Sequence, residues 1–115
     1  MIPFPRLLRP LPGAPGTYVF EVEADHPAFT GHFPGQPILP GVVQLDWAIR
    51  LGEGAFGSLG AFRSVEHLKF QATIEPLEPV KLRLAWDAAA LELGFDFAGP
   101  GGRKSSGFVR FAPSS

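Results

Sequence analysis

Two side chains in this sequence, His32 and Asp46, have the types and the setting to pass a proton between a base and an acid. A neutral imidazole accepts a proton at working pH, and a carboxyl group donates one or holds a hydroxyl. They stand fourteen positions apart in DHPAFTGHFPGQPILPGVVQLDWAIR, residues 25–50, where a loop dense in proline and glycine runs into a strongly apolar segment. Each also has an ordinary reading. Asp46 and Arg50 are i and i+4, so a salt bridge on a solvent-facing edge of a helix accounts for both. A loop histidine is more often a surface or hydrogen-bonded group than a catalyst.

The elements that must position the pair follow from local chemistry. Pro27, Pro34, Pro37 and Pro40, with Gly31, Gly35 and Gly41 between them, predict an irregular, stiff loop without helix or strand, because proline lacks the amide hydrogen and restricts its predecessor. Such a loop holds His32 in one place. From Gly41 onward Val42, Val43, Leu45, Trp47, Ala48, Ile49 and Leu51 leave few polar positions, which predicts a central helix from about Gly41 to Phe56, buried nearly all round. Pro40 suits its start, and Gly52 and Gly54 weaken its far end.

The string GHFPGQPILPGVVQLD resembles the active-site motif of the 3-hydroxyacyl-carrier-protein dehydratases of the hot-dog fold. In that family a histidine in a GHFPG-like loop and a carboxylate fourteen positions later, on the central helix, form the catalytic pair, and His32 and Asp46 match them. One branch carries glutamate at the second position; the branch that also isomerises the double bond carries aspartate, as here. The longer string GHFPGQPILPGVVQLDWA most resembles the small dehydratases associated with aryl polyene pathways. The motif spans about a fifth of the chain. Both main branches usually place glutamine four residues after the acid, where this chain has Arg50, and a cation there favours a carboxylate that orients water or polarises a hydroxyl.

The resemblance implies elimination of water from a 3-hydroxyacyl thioester on acyl carrier protein. His32 would remove the proton beside the carbonyl, and Asp46 would serve the departing hydroxyl, directly or through water. A backbone amide at Gly41, at the start of the helix, would hold the charge that builds on the thioester oxygen. Phe33, Leu39, Val43 and Trp47 are expected to wall an acyl channel, with plain core packing as the other reading. The chemistry calls for no metal and no organic cofactor. The family pairs the histidine of one subunit with the carboxylate of the other, which implies a homodimer with two sites.

The rest of the chain fits one domain of 115 residues, 45% apolar and 18% charged, with a net charge of −1. That balance excludes a disordered chain and gives no overall pull toward nucleic acid or membrane. With no cysteine, thiolate chemistry and a cysteine zinc site are excluded. Nothing resembles a signal peptide or spanning helix, so a cytoplasmic protein is expected. Residues 1–16, with five prolines, read as an extended arm without regular structure, Phe4, Leu7, Leu8 and Leu11 lying against the domain; 17–112 form the domain and 113–115 a short tail. Alternation predicts strands over Thr17 to Ala24, Ala61 to Ala72 with a bulge near Val65, Val80 to Asp87, Leu91 to Phe97 and Gly107 to Phe111. GPGGRKSSG reads as a polar turn. One helix and a curved antiparallel sheet give an α+β fold in which the sheet wraps the helix. Its exposed edges favour pairing of two copies.

The other candidates carry less. His26 beside Asp25 is expected to be structural and His67 to sit in a strand, and no recognised ligand spacing joins them to His32 and Asp46 as a metal set. Arg63, Lys69, Lys81, Arg83, Arg103, Lys104 and Arg110 read as solvated positions, some of which could meet an acidic carrier protein. Two further functions remain in view: an acyl thioesterase of the same fold, and a non-catalytic acyl-binding partner.

Overall fold

The computed structural model describes residues 2–30 and 35–114. Among these residues the elements are β1 (Arg9–Pro10), β2 (Thr17–Phe20), a single 3-10 turn (Pro27–Phe29), α1 (Gly41–Phe56), β3 (Ala61–Phe70), β4 (Val80–Asp87), β5 (Glu92–Gly99) and β6 (Gly102–Ala112). The strands form one antiparallel sheet in the order β1-β2-β4-β5-β6-β3.

Period-2 alternation builds the inner face of the sheet. β4 and β5 pair Leu82 with Phe97, Leu84 with Phe95 and Trp86 with Leu93, and all of these except Trp86 are buried. Helix α1 lies against β4 and β5 through Val43, Trp47, Ala48 and Gly52. At Gly52 a side chain would meet Leu93 Cδ2 at 2.8 Å, so the glycine admits close approach to the sheet. Trp47, 1% exposed, meets Phe20 edge-on at 5.9 Å, and Phe20 meets Phe97 at 6.2 Å. Each such aromatic pair adds about 0.5–1.5 kcal/mol to the area it buries. The helix stops at Gly57, where φ is +84° and the amide still donates to the Glu53 carbonyl at 3.0 Å.

The helix bounds and the β4 strand agree with the sequence pattern, and four expectations are corrected here. The arm is not devoid of structure: Arg9 and Pro10 pair with Val19 and Tyr18, which proline tolerates because β1 is an edge strand. Pro27 starts a one-turn 3-10 helix inside the loop, since its fixed φ suits a first helical position. β2 ends at Phe20 rather than Ala24, although Val22 stays buried and its carbonyl accepts from Leu77. Residues 102–106, taken from the sequence for a turn, begin β6, because Ser105 and Ser106 pair with Phe97 and Asp96.

β3 carries the irregularity expected near Val65. Register shifts flank that residue, between Phe62 and Ser64 and between Glu66 and Lys69, and His67 in the second has φ +53°. Phe62, Leu68 and Phe70 are exposed, on a ten-residue strand paired along one side only among the described residues.

Candidate active site

Helix α1 is not buried all round. Its outward face carries Val42, 73% exposed, with Leu45 and Ile49 half-buried, and Asp46 stands among them. The Asp46 side chain is 42% exposed and that of Arg50 19%. Arg50 donates from Nε at 3.0 Å and from Nη2 at 2.8 Å, both to Oδ2 of Asp46. The i,i+4 pair expected from spacing is therefore formed. Exposed helical pairs are worth only about 0.3–0.5 kcal/mol, so what this one contributes is orientation of the carboxylate.

The start of α1 is the second part of the site. Pro40 occupies the N-cap and offers no side-chain cap. The Val43 and Gln44 amides donate to the Pro40 carbonyl, while among the described residues no acceptor is found for the amides of Gly41 and Val42. Two donors without an acceptor among the described residues, at a helix N-terminus where the peptide dipoles sum to about half a positive charge, suit a developing oxyanion. Gly41 borders an open groove of about 460 Å³ walled also by Ile38, Leu39, Gln44 and Phe70. A side chain at Gly41 would meet Phe70 Cε1 at 2.8 Å, so the ring from β3 covers this glycine and narrows the groove.

Gln44 and Ser105, which the sequence did not single out, brace this end of the helix. Both are buried; Ser105 Oγ donates to Gln44 Oε1 at 2.6 Å, and Gln44 Nε2 donates to the Leu39 carbonyl at 3.1 Å. The bridge ties β6, α1 and the segment before α1 together. The Leu39 amide also donates to the Ile74 carbonyl at 2.8 Å, so the chain is held on both sides as it enters the helix.

His32 and Phe33 lie outside the described residues. Of the other expected wall residues, Leu39 borders the groove, whereas Val43 and Trp47 belong to the packed core, the second of the two readings. Trp47 turns inward because positions 43, 47 and 48 share the helix face toward the sheet.

His26 is structural, as expected. It is buried, its Nδ1 accepts from the Ala28 amide at 3.0 Å, and its Nε2 donates to the Pro3 carbonyl at 2.8 Å. Asp25 pairs with Arg6 at 3.3 Å. His67 stands edge-on to Phe108 at 6.1 Å and lines a groove on the sheet with Lys69, Arg83 and Arg103. Among the described residues no helix is long and apolar enough to cross a membrane.

A family model described as ApeI-like, ApeI dehydratase, matches residues 15–108. The 3-hydroxyacyl-[acyl-carrier-protein] dehydratase FabZ of Acetivibrio thermocellus is 30% identical over 96 residues, covering 77% of this chain and 66% of that protein. FabZ of Alkaliphilus metalliredigens is 34% identical over 89 residues, covering 71% of this chain and 60% of its own. The chain thus spans between 45% and 67% of the length of the curated relatives it matches. Among solved structures, the dehydratase heterocomplex ApeI:P from Xenorhabdus doucetiae superposes with a TM-score of 0.78 at 28% identity, over 96% of this chain and 97% of that one. An uncharacterized protein from Erwinia carotovora subsp. atroseptica gives 0.77 at 32% identity, over 98% of each. The antiparallel sheet with one long helix is thus the hot-dog fold expected from the sequence.

Proposed function

This chain belongs to the ApeI-like dehydratase family, whose model covers residues 15–108, and on that premise we propose that it removes water from 3-hydroxyacyl thioesters on acyl carrier protein. The product is the trans-2-enoyl thioester, made in fatty-acid-like or aryl polyene synthesis. The observation that carries this reading is Asp46 on the outward face of α1, one turn beyond two first-turn amides without an acceptor among the described residues, and fourteen positions after His32.

His32 takes the proton from C2, next to the thioester carbonyl. Charge builds on the carbonyl oxygen and is met by the amides at Gly41 and Val42, a contribution of about 3 kcal/mol in the transition state. The C3–O bond breaks, and the departing hydroxyl leaves as water with the proton that His32 took from C2, passed on by way of Asp46, directly or through a water molecule. Oδ1, the oxygen that Arg50 leaves free, faces this task. The groove along Ile38, Leu39 and Phe70 takes the acyl chain. None of these steps uses a metal or an organic cofactor.

The working unit in this reading is a homodimer in the cytoplasm, with residues 17–112 as its single domain. The apolar free edge of β3 and the apolar outward face of α1 support pairing of two copies, His32 of one chain meeting Asp46 of the other. The Xenorhabdus relative is a heterocomplex, so a mass measurement of the purified protein is the check on this point.

Strand register supports a carrier-docking surface. It aligns Arg9, Val19, Lys81, Ala98 and Arg103 in one row across the sheet and Thr17, Arg83, Asp96, Ser106 and Lys69 in the next, five cations against one acid. An acidic carrier is steered by such a band.

The test is incubation with a 3-hydroxyacyl carrier protein. Growth of a conjugated enoyl absorbance supports elimination. Release of free thiol would instead make the protein a thioesterase of the same fold, and tight binding with neither signal a non-catalytic acyl-binding partner.

A further inference from the structure

The first residues of the chain close over the back of Arg50. The Ile2 carbonyl accepts a hydrogen bond from Arg50 Nη2, and the Phe4 ring lies under the guanidinium, its centroid 4.1 Å from Cζ. Phe4 leans in turn on Trp47, at 6.4 Å between ring centres. Two further ties hold this segment in place. The Pro3 carbonyl accepts from the buried His26, and the Arg6 side chain pairs with Glu23 and Asp25.

A lone arginine on a helix surface swings among rotamers, and its pairing with an i−4 carboxylate is loose. Here the guanidinium has its edge on Asp46, one donor also on the Ile2 carbonyl and its face on an aromatic ring. It is less than half as exposed as the carboxylate it holds.

We infer that the N-terminal segment is a clamp for the acid: Phe4 and the Ile2 carbonyl fix Arg50, and Arg50 fixes Asp46 so that Oδ1 is turned to the substrate. Phe4 and Arg50 are then positioning residues for the reaction, acting through Asp46. The inference rests on the proposed role of Asp46. It implies that the arm contributes to turnover without touching the acyl thioester.

The experiment uses the full chain and a small 3-hydroxyacyl pantetheine thioester, with kcat, KM and thermal midpoint measured for each variant. Phe4→Leu keeps an apolar side chain against Trp47 but removes the aromatic face. It is expected to lower kcat about tenfold with KM within about twofold. Phe4→Tyr restores the ring and is expected to restore kcat. Arg50→Gln lowers kcat by at least as much, and adding Phe4→Leu to it produces no further loss, because both act through one contact.

The clamp is overturned if Phe4→Leu turns over like the parent, if Phe4→Tyr fails to restore kcat, or if the two losses multiply. It also falls if kcat follows the thermal midpoint across the set. Asp46→Asn separates this from the underlying reading. An inactive Asp46→Asn with a fully active Phe4→Leu removes the clamp alone, whereas an active Asp46→Asn removes the role of Asp46 itself.

Discussion

Arg50 directs two nitrogens at one oxygen of Asp46: Nε at 3.0 Å and Nη2 at 2.8 Å both reach Oδ2. A fork-to-fork pair would engage both carboxylate oxygens, whereas this one leaves Oδ1 without an arginine contact. Under the proposed reading Oδ1 is the oxygen that serves the substrate, and spacing alone does not give this one-sided geometry.

Asp46→Asn keeps the shape of the side chain and removes its acid function. It is expected to cut kcat about 10²–10⁴-fold with little change in thermal midpoint, and His32→Ala is expected to do the same. Enoyl absorbance under saturating thioester measures both, and full activity in either variant would remove that residue from the reaction.

Gly41→Ala probes the groove. Phe70 is 52% exposed, so its ring can yield to the new methyl group, and alanine suits a first helical turn better than glycine. Stability should change by under about 1 kcal/mol in denaturant titration. The displaced ring and the added methyl crowd the amide end of the groove, so kcat/KM should fall about tenfold or more.

Ser105→Ala removes the donor that satisfies buried Gln44 Oε1. An orphaned buried acceptor costs about 1–3 kcal/mol, which equilibrium unfolding would register. A loss near zero would mean that the bridge does not brace α1.

Glu78 gives the fold one acid-sensitive contact. Burial pushes its carboxyl up, but the hydrogen bond from Lys104, the Glu75 amide and the Lys104 charge together hold it below its ordinary value of 4.5. A depressed folded-state pKa stabilises above the unfolded value, and that contribution is lost as pH falls through the lowered one. Parent and Glu78→Gln should therefore differ in stability above about pH 5 and converge in stronger acid, as read from melts across pH. A constant difference at every pH would exclude this origin.

Charge reversal tests the docking band. Lys69→Glu with Arg83→Glu should raise KM for the carrier-bound substrate about tenfold and leave KM for the small pantetheine thioester unchanged, with the gap shrinking as salt rises. Equal effects on both substrates would place the carrier elsewhere.

The fold was legible where burial follows a simple period. Val80–Asp87 has the bounds implied because β4 alternates cleanly, and Gly41–Phe56 because Pro40 opens the helix and glycines end it, although the apolar run did not reveal that α1 keeps an outward face. Residues 102–106 were not legible, since glycine, arginine, lysine and serine carry no strand signature; their partners across β5 make them one. The candidate site was picked out through a motif, which marked Asp46 and Gly41 but not what surrounds them. Gln44 and Ser105 are sixty-one residues apart in sequence, and only the fold brings their polar groups together. Phe4 sits in a segment that reads as mere proline-rich arm, and its place under Arg50 depends on the path of the chain back across the helix.

The open side of β3 bears on how this protein behaves in the hands of an experimenter. Ten residues of backbone with Phe62, Leu68 and Phe70 in reach of water make a template to which any extended chain can add. If two copies pair along this border, a preparation too dilute to keep them together should come out of solution before it accumulates as a well-behaved single chain. Cloudiness on dilution would be the first laboratory sign of it.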